Sequence, residues 1–151
     1  MRRFTSFYLV VLLFFQISIQ AQPVLDVFKS FRKLEADTEA GVNFNEYARA
    51  LAEVNAQLKN FTDANPGKPP ASVEALRSAF ELYRKARALW DEQNLQDMRY
   101  QNGDLSLQAY FNAKEVNKDQ IRSIWKQAGQ EVDRAATLTV SKQRPKEKRT
   151  N

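Results

Sequence analysis

The sequence predicts an all-α protein, an antiparallel up-down bundle of about four helices after a cleaved signal peptide. Beyond residue 21 the chain is rich in Ala, Leu, Gln, Glu, Lys and Arg and has no alternating run of β-branched residues. Apolar residues recur every three or four positions in four segments, and turn-forming residues separate these segments. Amphipathic helices joined by short turns bury their apolar faces by packing together as an antiparallel bundle.

The first 21 residues have the pattern of a secretory signal peptide. Arg2 and Arg3 precede an uncharged apolar stretch, and the small residue Ala21 stands before Gln22. The pattern predicts export to the periplasm or out of the cell, with cleavage between Ala21 and Gln22. The alternative is that the segment stays as an N-terminal membrane anchor. Cleavage is favoured because the apolar stretch, residues 4–19, is shorter than the roughly 20 residues that a membrane-spanning helix needs.

The remaining chain has the size of one domain, which we assign to residues 22–140. It contains no cysteine, so its stability has to come from core packing and not from disulfides. The net charge of +5 is concentrated in residues 141–151, which hold five of the 23 basic side chains and one acidic one. Residues 22–140 are close to neutral, and a nucleic-acid-binding face on the folded domain is therefore not expected.

Residues 141–151 are predicted to form a disordered basic tail. Almost all of them are charged or polar, and Pro145 stops any helix that reaches it. The tail could hold the protein against an anionic envelope surface. The alternative is a solubilising segment without a partner.

Turn and cap residues set the predicted bounds of the first two helices. The first helix covers about residues 24–40, and Gly41 has the place of a left-handed residue after its end. Asn43 is the expected N-cap of the second helix, and Glu46 completes a capping box. The second helix should end near Asp63, because a segment rich in Pro and Gly follows. Its apolar stripe consists of Phe44, Tyr47, Leu51, Val54, Leu58 and Phe61.

The third and fourth helices are separated by an Asn-Gly-Asp turn at residues 102–104. Ser72 is the predicted N-cap of the third helix, which reaches about Tyr100. The fourth helix covers about residues 105–138. Four polar residues, 117–120, interrupt its apolar stripe, and we predict a bend or short break there. One continuous helix is the alternative. The two apolar stripes include Val73, Leu76, Phe80, Tyr83, Leu89, Trp90, Met98, Leu107, Tyr110, Phe111, Ile121, Ile124, Trp125, Ala128, Val132 and Ala135.

The composition restricts the possible chemistry. The chain has neither histidine nor cysteine, which excludes imidazole bases, cysteine nucleophiles, thiolate zinc sites and His-ligated haem. We predict no catalytic residue, no cofactor and no metal site. Glu35, Asp37 and Glu39 are the acidic residues considered for a calcium ion or an acid–base pair, since Glu35 and Glu39 share a helix face. A solvated acidic patch is the favoured interpretation.

Three aromatic residues are the weak candidates for a ligand groove. Tyr83, Trp90 and Trp125 could hold a hydrophobic or sugar ligand between helices. Aromatic residues at helical spacing more often belong to the core, and this is the favoured interpretation.

Six short motifs stand out beyond helix-forming composition: Leu-Glu-Ala-Asp-Thr-Glu-Ala-Gly-Val at 34–42, Glu46-Tyr47, Leu82-Tyr83, Leu89-Trp90, Ile-Trp-Lys-Gln-Ala at 124–128 and Val-Asp-Arg-Ala at 132–135. In these motifs the chain resembles a group of small, exported, uncharacterised bacterial helical proteins, over about residues 25–138. The resemblance implies a bacterial origin, export and a helical fold, and it implies no activity.

These observations favour a non-enzymatic exported interaction or binding module, which works through a helical face or a groove between helices. Its partner would be another exported protein or an anionic envelope surface. A sensor or carrier that holds a small ligand between helices is the alternative. An enzyme that relies on carboxylates, tyrosines or lysines alone is the least favoured class.

Overall fold

The computed structural model describes residues 21–143, with side chains for residues 24–141. Four helices form this part of the chain, and it contains no strand: α1 (Ala21–Ala40), α2 (Phe44–Ala64), α3 (Ala71–Gln101) and α4 (Leu107–Gln143). The predicted all-α four-helix fold is confirmed. None of these helices has an apolar stretch long enough to cross a bilayer.

The predicted signal peptide and most of the predicted tail lie outside the described residues. Signal cleavage and tail disorder therefore stay predictions. The proposed cleavage bond, between Ala21 and Gln22, falls in the first turn of α1. Residues 141–143, which the sequence placed in the tail, belong to the end of α4.

The helices pack in the cyclic order α1–α2–α3–α4, with α4 returning to α1. Neighbouring helices are antiparallel, because contacts that move forward along one helix move backward along the next. Between α1 and α4 the contacts are Arg32–Asp133 and Glu35–Gly129. Between α2 and α3 they are Tyr47–Tyr83 and Thr62–Arg77. Between α3 and α4 they are Trp90–Trp125 and Gln96–Asn117.

The α1–α2 turn has the conformation that the sequence predicts. Gly41 has a φ of 92°, in the left-handed region. The Glu46 N–H donates to Asn43 Oδ1 at 3.0 Å, and the Asn43 N–H donates to Glu46 Oε2 at 3.4 Å. The predicted capping box is therefore confirmed. Only three residues, 41–43, connect the two helices.

Ser72 is not the N-cap of α3. The helix begins at Ala71, and Ser72 is buried in its first turn. The carbonyl oxygen of Pro70 accepts the N–H groups of Val73 and Glu74 at 2.9 and 3.1 Å, so the helical hydrogen bonds start earlier than the sequence suggested. Pro at this boundary fits because its own φ is already helical.

The predicted break in α4 at residues 117–120 is wrong, and the helix is continuous. Asn117 is buried against α3, where its side-chain amide donates to Gln96 Oε1 at 3.4 Å. A polar residue on the inner face looked like a solvated turn, but its partner on another helix satisfies it.

The core lies between all four helices and includes most of the predicted apolar stripes. Side chains that are fully buried include Val27, Phe31, Leu34, Tyr47, Val54, Val73, Leu76, Tyr83 and Val132. Burying such side chains is the main stabilising contribution to a bundle of this kind, because its helices are marginally stable alone.

The α3–α4 hairpin extends past the end of the α1–α2 hairpin as a two-helix arm, residues 91–120. The reason is helix length, since α1 and α2 have 20 and 21 residues while α3 and α4 have 31 and 37. Three apolar residues predicted to be in the core, Met98, Leu107 and Phe111, are more than half exposed on this arm. That prediction was wrong because no third helix reaches them.

Candidate functional site

A groove of about 810 Å³ lies at the step where the α1–α2 turn ends and the arm continues. We call it the step groove. It is lined by the end of α1, the α1–α2 turn, α3 and α4, and its apolar lining residues include Val42, Trp90, Ile121 and Trp125. The volume is within the range of about 300–1,000 Å³ that is typical of small-molecule sites.

Tyr47 of α2 contacts both tryptophans on the side that faces the core. The Trp125 Nε1–H donates to the Tyr47 hydroxyl oxygen at 3.0 Å, and this hydroxyl donates to the Tyr83 carbonyl oxygen at 2.8 Å. The Tyr47 ring centroid is 5.8 Å from that of Trp90 and 5.5 Å from that of Trp125. Burial raises the pKa of Tyr47 above its ordinary value, so its hydroxyl stays protonated and keeps donating.

Phe44 completes this aromatic cluster at the first turn of α2. Its ring meets Trp90 edge-on at 5.6 Å between centroids, and the Arg87 guanidinium lies 5.9 Å from the Phe44 centroid. The indoles of Trp90 and Trp125 are themselves 5.8 Å apart. Each aromatic contact of this kind contributes up to about 1.5 kcal/mol of stability beyond the burial of its surface. Residues from three helices therefore fix the position of both indoles.

Tyr83, the third aromatic candidate, lies in the core and does not line the step groove. Its hydroxyl has no hydrogen-bond partner among the described residues. Burial raises the pKa of Tyr83, and the nearby Glu35 carboxylate raises it further. The structure thus places Trp90 and Trp125 in the lining of one groove and Tyr83 in the core. Tyr83 is connected to the aromatic cluster through its backbone carbonyl oxygen, which accepts the Tyr47 hydroxyl.

A row of cations borders the groove on α4. Lys114, Lys118, Arg122 and Lys126 follow one another at intervals of four residues, and all four line the groove. Lys114 donates to the Tyr110 hydroxyl at 2.7 Å and lies 3.6 Å from Asp97, and the Tyr110 bond is the main reason that the pKa of Lys114 is raised.

The other three cations make no ion pair within 4 Å among residues 24–141. Like charges four residues apart on a helix destabilise it by roughly 0.2–0.5 kcal/mol per pair. Glu115 and Asp119 precede Lys118 and Arg122 by three residues and offset part of this repulsion, so the net cost to α4 is small.

Three acids line the opposite end of the groove, and an arginine neutralises two of them. The Arg32 guanidinium donates to Glu35 Oε2 and Asp133 Oδ1, both at 2.6 Å. These bonds, that to Asp133 first, raise the pKa of Arg32. Glu39 also lines the groove and makes no ion pair within the described part of the chain.

Glu35 is more than part of a solvated patch, because its side chain is only 20% exposed. Its carboxylate lies against Gly129 of α4, where an added Cβ would come within 2.6 Å of Glu35 Oε1. Gly129 thus allows the two helices to approach. Asp37 points elsewhere and pairs with Lys33 at 2.8 Å. Glu35, Asp37 and Glu39, the acids considered from the sequence, therefore do not form one site. No group of three possible metal ligands occurs among the described residues.

The groove offers apolar and aromatic contact, amide groups from Gln93 and Gln130, and cations. The sequence pointed to Trp90 and Trp125, but it missed Tyr47 and the cation row. The row is visible as basic residues at a spacing of four. Tyr47 looked like an ordinary core residue, since its hydroxyl partners are far away in the sequence.

Comparison with known families, curated proteins and solved structures finds no match for this chain. The resemblance to small exported bacterial helical proteins stays a prediction.

Proposed function

We propose that the protein is a non-enzymatic, exported binding module whose working surface is the step groove. A small ligand with an apolar part binds there against Trp90 and Trp125. One observation carries this proposal: a groove of about 810 Å³ has two indoles in its lining, and residues of α2, α3 and α4 fix both indoles in place. A preformed aromatic surface lowers the entropic cost of binding.

The proposal is one of binding and not of catalysis, because the usual nucleophile and base pairs of enzymes are missing from the sequence and the one hydroxyl side chain of the lining is already engaged. The chain has no histidine or cysteine. The hydroxyl of Thr38, which lines the groove, donates to the Glu35 carbonyl oxygen at 2.7 Å and is engaged in its own helix. Binding, and not turnover, is what the lining supports.

The exposed apolar side chains of the arm are a weaker basis for function than the step groove. Leu95 and Met98 share a face of α3, and Leu107 and Phe111 share a face of α4, because residues three or four apart are neighbours on a helix. Nothing among the described residues shows what would cover them.

The chain carries its own reporter for the test, since its two tryptophans both line the groove. We would titrate the mature protein with small amphipathic acids, alcohols and amines, and follow tryptophan fluorescence and melting temperature. Ala40→Phe places a ring at the α1 end of the groove and should weaken binding. Ala36→Phe, an exposed position one turn earlier and outside the lining, is the matched control.

The expected result is a saturable fluorescence change with a raised melting temperature, kept in Ala36→Phe and weakened in Ala40→Phe. The proposal is wrong if no compound of the three classes changes either signal. It is also wrong if a compound binds and Ala40→Phe binds it as tightly as Ala36→Phe does.

A further inference from the structure

We infer that the step groove selects small organic acids, with the apolar chain or ring against the tryptophans and the acid group at Lys118 and Arg122. This inference rests on the proposed function of the groove and names the chemical class of its ligand. The ligand meant here is a free, monomeric amphipathic acid.

The charge balance of the lining favours an anion. Lys118, Arg122 and Lys126 have no ion-pair partner within 4 Å among residues 24–141, whereas Glu35 and Asp133 are both bonded to Arg32. Glu39 is the remaining acid of the lining. Among the lining residues that make no ion pair, three are positive and one is negative, and an anionic ligand complements this surface.

The apolar and cationic groups lie close enough to contact one small molecule. Arg122 precedes Trp125 by three residues and Lys118 precedes Ile121 by three, so each cation shares a helix face with an apolar lining residue. Lys118 and Arg122 are one turn apart, a rise of about 6 Å. Both indoles and this pair line the same groove, so a short apolar chain that ends in an acid group can contact both.

A bound acid also removes a repulsion within α4. The row from Lys114 to Lys126 sets like charges four residues apart, which disfavours the helix. An anion between Lys118 and Arg122 offsets that repulsion. The ligand contacts and the weaker repulsion between the cations of α4 therefore both stabilise the bound state.

The test compares three ligands that share one chain length: octanoate, octan-1-ol and octylammonium. Each is titrated at low salt against the mature protein with tryptophan fluorescence as the signal. We expect octanoate to bind about tenfold more tightly than octanol, with two exposed ion pairs contributing up to about fivefold each. Octylammonium should bind most weakly.

The matched variants separate the groove cations from net charge. Lys118→Gln with Arg122→Gln should weaken octanoate binding about tenfold and leave octanol binding unchanged. Lys59→Gln with Lys85→Gln changes the net charge equally at exposed positions outside the groove lining, and should leave both unchanged. Raising the salt concentration should weaken only octanoate.

The failures of the two ideas are distinguishable. If octanol and octylammonium bind as well as octanoate, the selection of acids is wrong while the groove remains a binding site. If the two double variants weaken octanoate equally, the effect is general charge and the inference is again wrong. If the mature protein ignores monomeric octanoate, and its retention by phosphatidylglycerol vesicles is lost in the Lys118→Gln with Arg122→Gln variant, the groove cations recognise a membrane and the inference is overturned. If no ligand of the series binds, the proposed function fails as well.

Discussion

The hydroxyl of Tyr47 should matter for stability, and that of Tyr83 should not. Tyr47→Phe removes the acceptor of the Trp125 Nε1–H and the donor to the Tyr83 carbonyl oxygen, bonds of 3.0 and 2.8 Å. Each hydrogen bond contributes about 0.5–1.5 kcal/mol, and the indole N–H is left without this partner. We therefore expect Tyr47→Phe to lower the free energy of unfolding by about 1–3 kcal/mol.

Tyr83→Phe is the matched variant, with the same change of one hydroxyl at an equally buried tyrosine. The Tyr83 hydroxyl has no hydrogen-bond partner among the described residues. Its removal relieves a buried polar group that has lost its contact with water, so the free energy of unfolding should change by less than about 0.5 kcal/mol or rise.

Urea unfolding at pH 7, followed by circular dichroism, measures both variants on the same scale. Together with the single variant Trp125→Phe, the double variant Tyr47→Phe with Trp125→Phe completes a mutant cycle. The coupling energy of this cycle measures the contribution of the Trp125–Tyr47 hydrogen bond. Equal losses in Tyr47→Phe and Tyr83→Phe would refute the hydrogen-bond assignment. A neutral Tyr47→Phe would refute the view that Tyr47 holds the indole in place.

The other predictions concern pH, the core, export and the tail. Burial raises the pKa of both core tyrosines above the ordinary 10.0, so the unfolded chain loses its protons first as the pH rises. The free energy of unfolding in urea should therefore fall above about pH 10, by up to roughly 1.4 kcal/mol per pH unit for each tyrosine, and a variant with both changed to Phe should show a flatter profile. Leu51→Ala should cost about 2–5 kcal/mol in urea unfolding and the exposed Phe111→Ala less than about 0.5, and equal losses would contradict the burial pattern. N-terminal sequencing of the exported protein should begin at Gln22, and full-length chain in the membrane fraction would contradict cleavage. Deleting residues 144–151 should leave the melting temperature unchanged and abolish any salt-sensitive binding to anionic vesicles; binding that survives the deletion would show that the tail is not responsible.

Local features of the fold were predictable because their causes are close together in the sequence. The capping box needs only Asn43 and Glu46, and the end of α1 needs only Gly41. The stripe of α2 is likewise a matter of spacing along one helix, and five of its six predicted residues are buried while Phe44 is half-buried. Such patterns depend on backbone geometry that a few neighbouring residues decide.

Features that depend on a second helix were not predictable. Asn117 is satisfied by Gln96 on α3, and Met98 is exposed because α2 does not extend far enough to cover it. The role of Tyr47 depends on partners 36 and 78 positions away. The groove itself arises from the different lengths of two hairpins, which becomes visible only when the helices are packed.

The most direct test of the step groove is an NMR titration of the mature, ¹⁵N-labelled protein with octanoate. The two tryptophans produce two indole N–H signals, and both residues line the groove. We predict that both indole signals shift and saturate at one common octanoate concentration, and that they shift far less in Ala40→Phe than in Ala36→Phe. Octanoate that moves backbone signals elsewhere while both indole signals stay still would contradict the account.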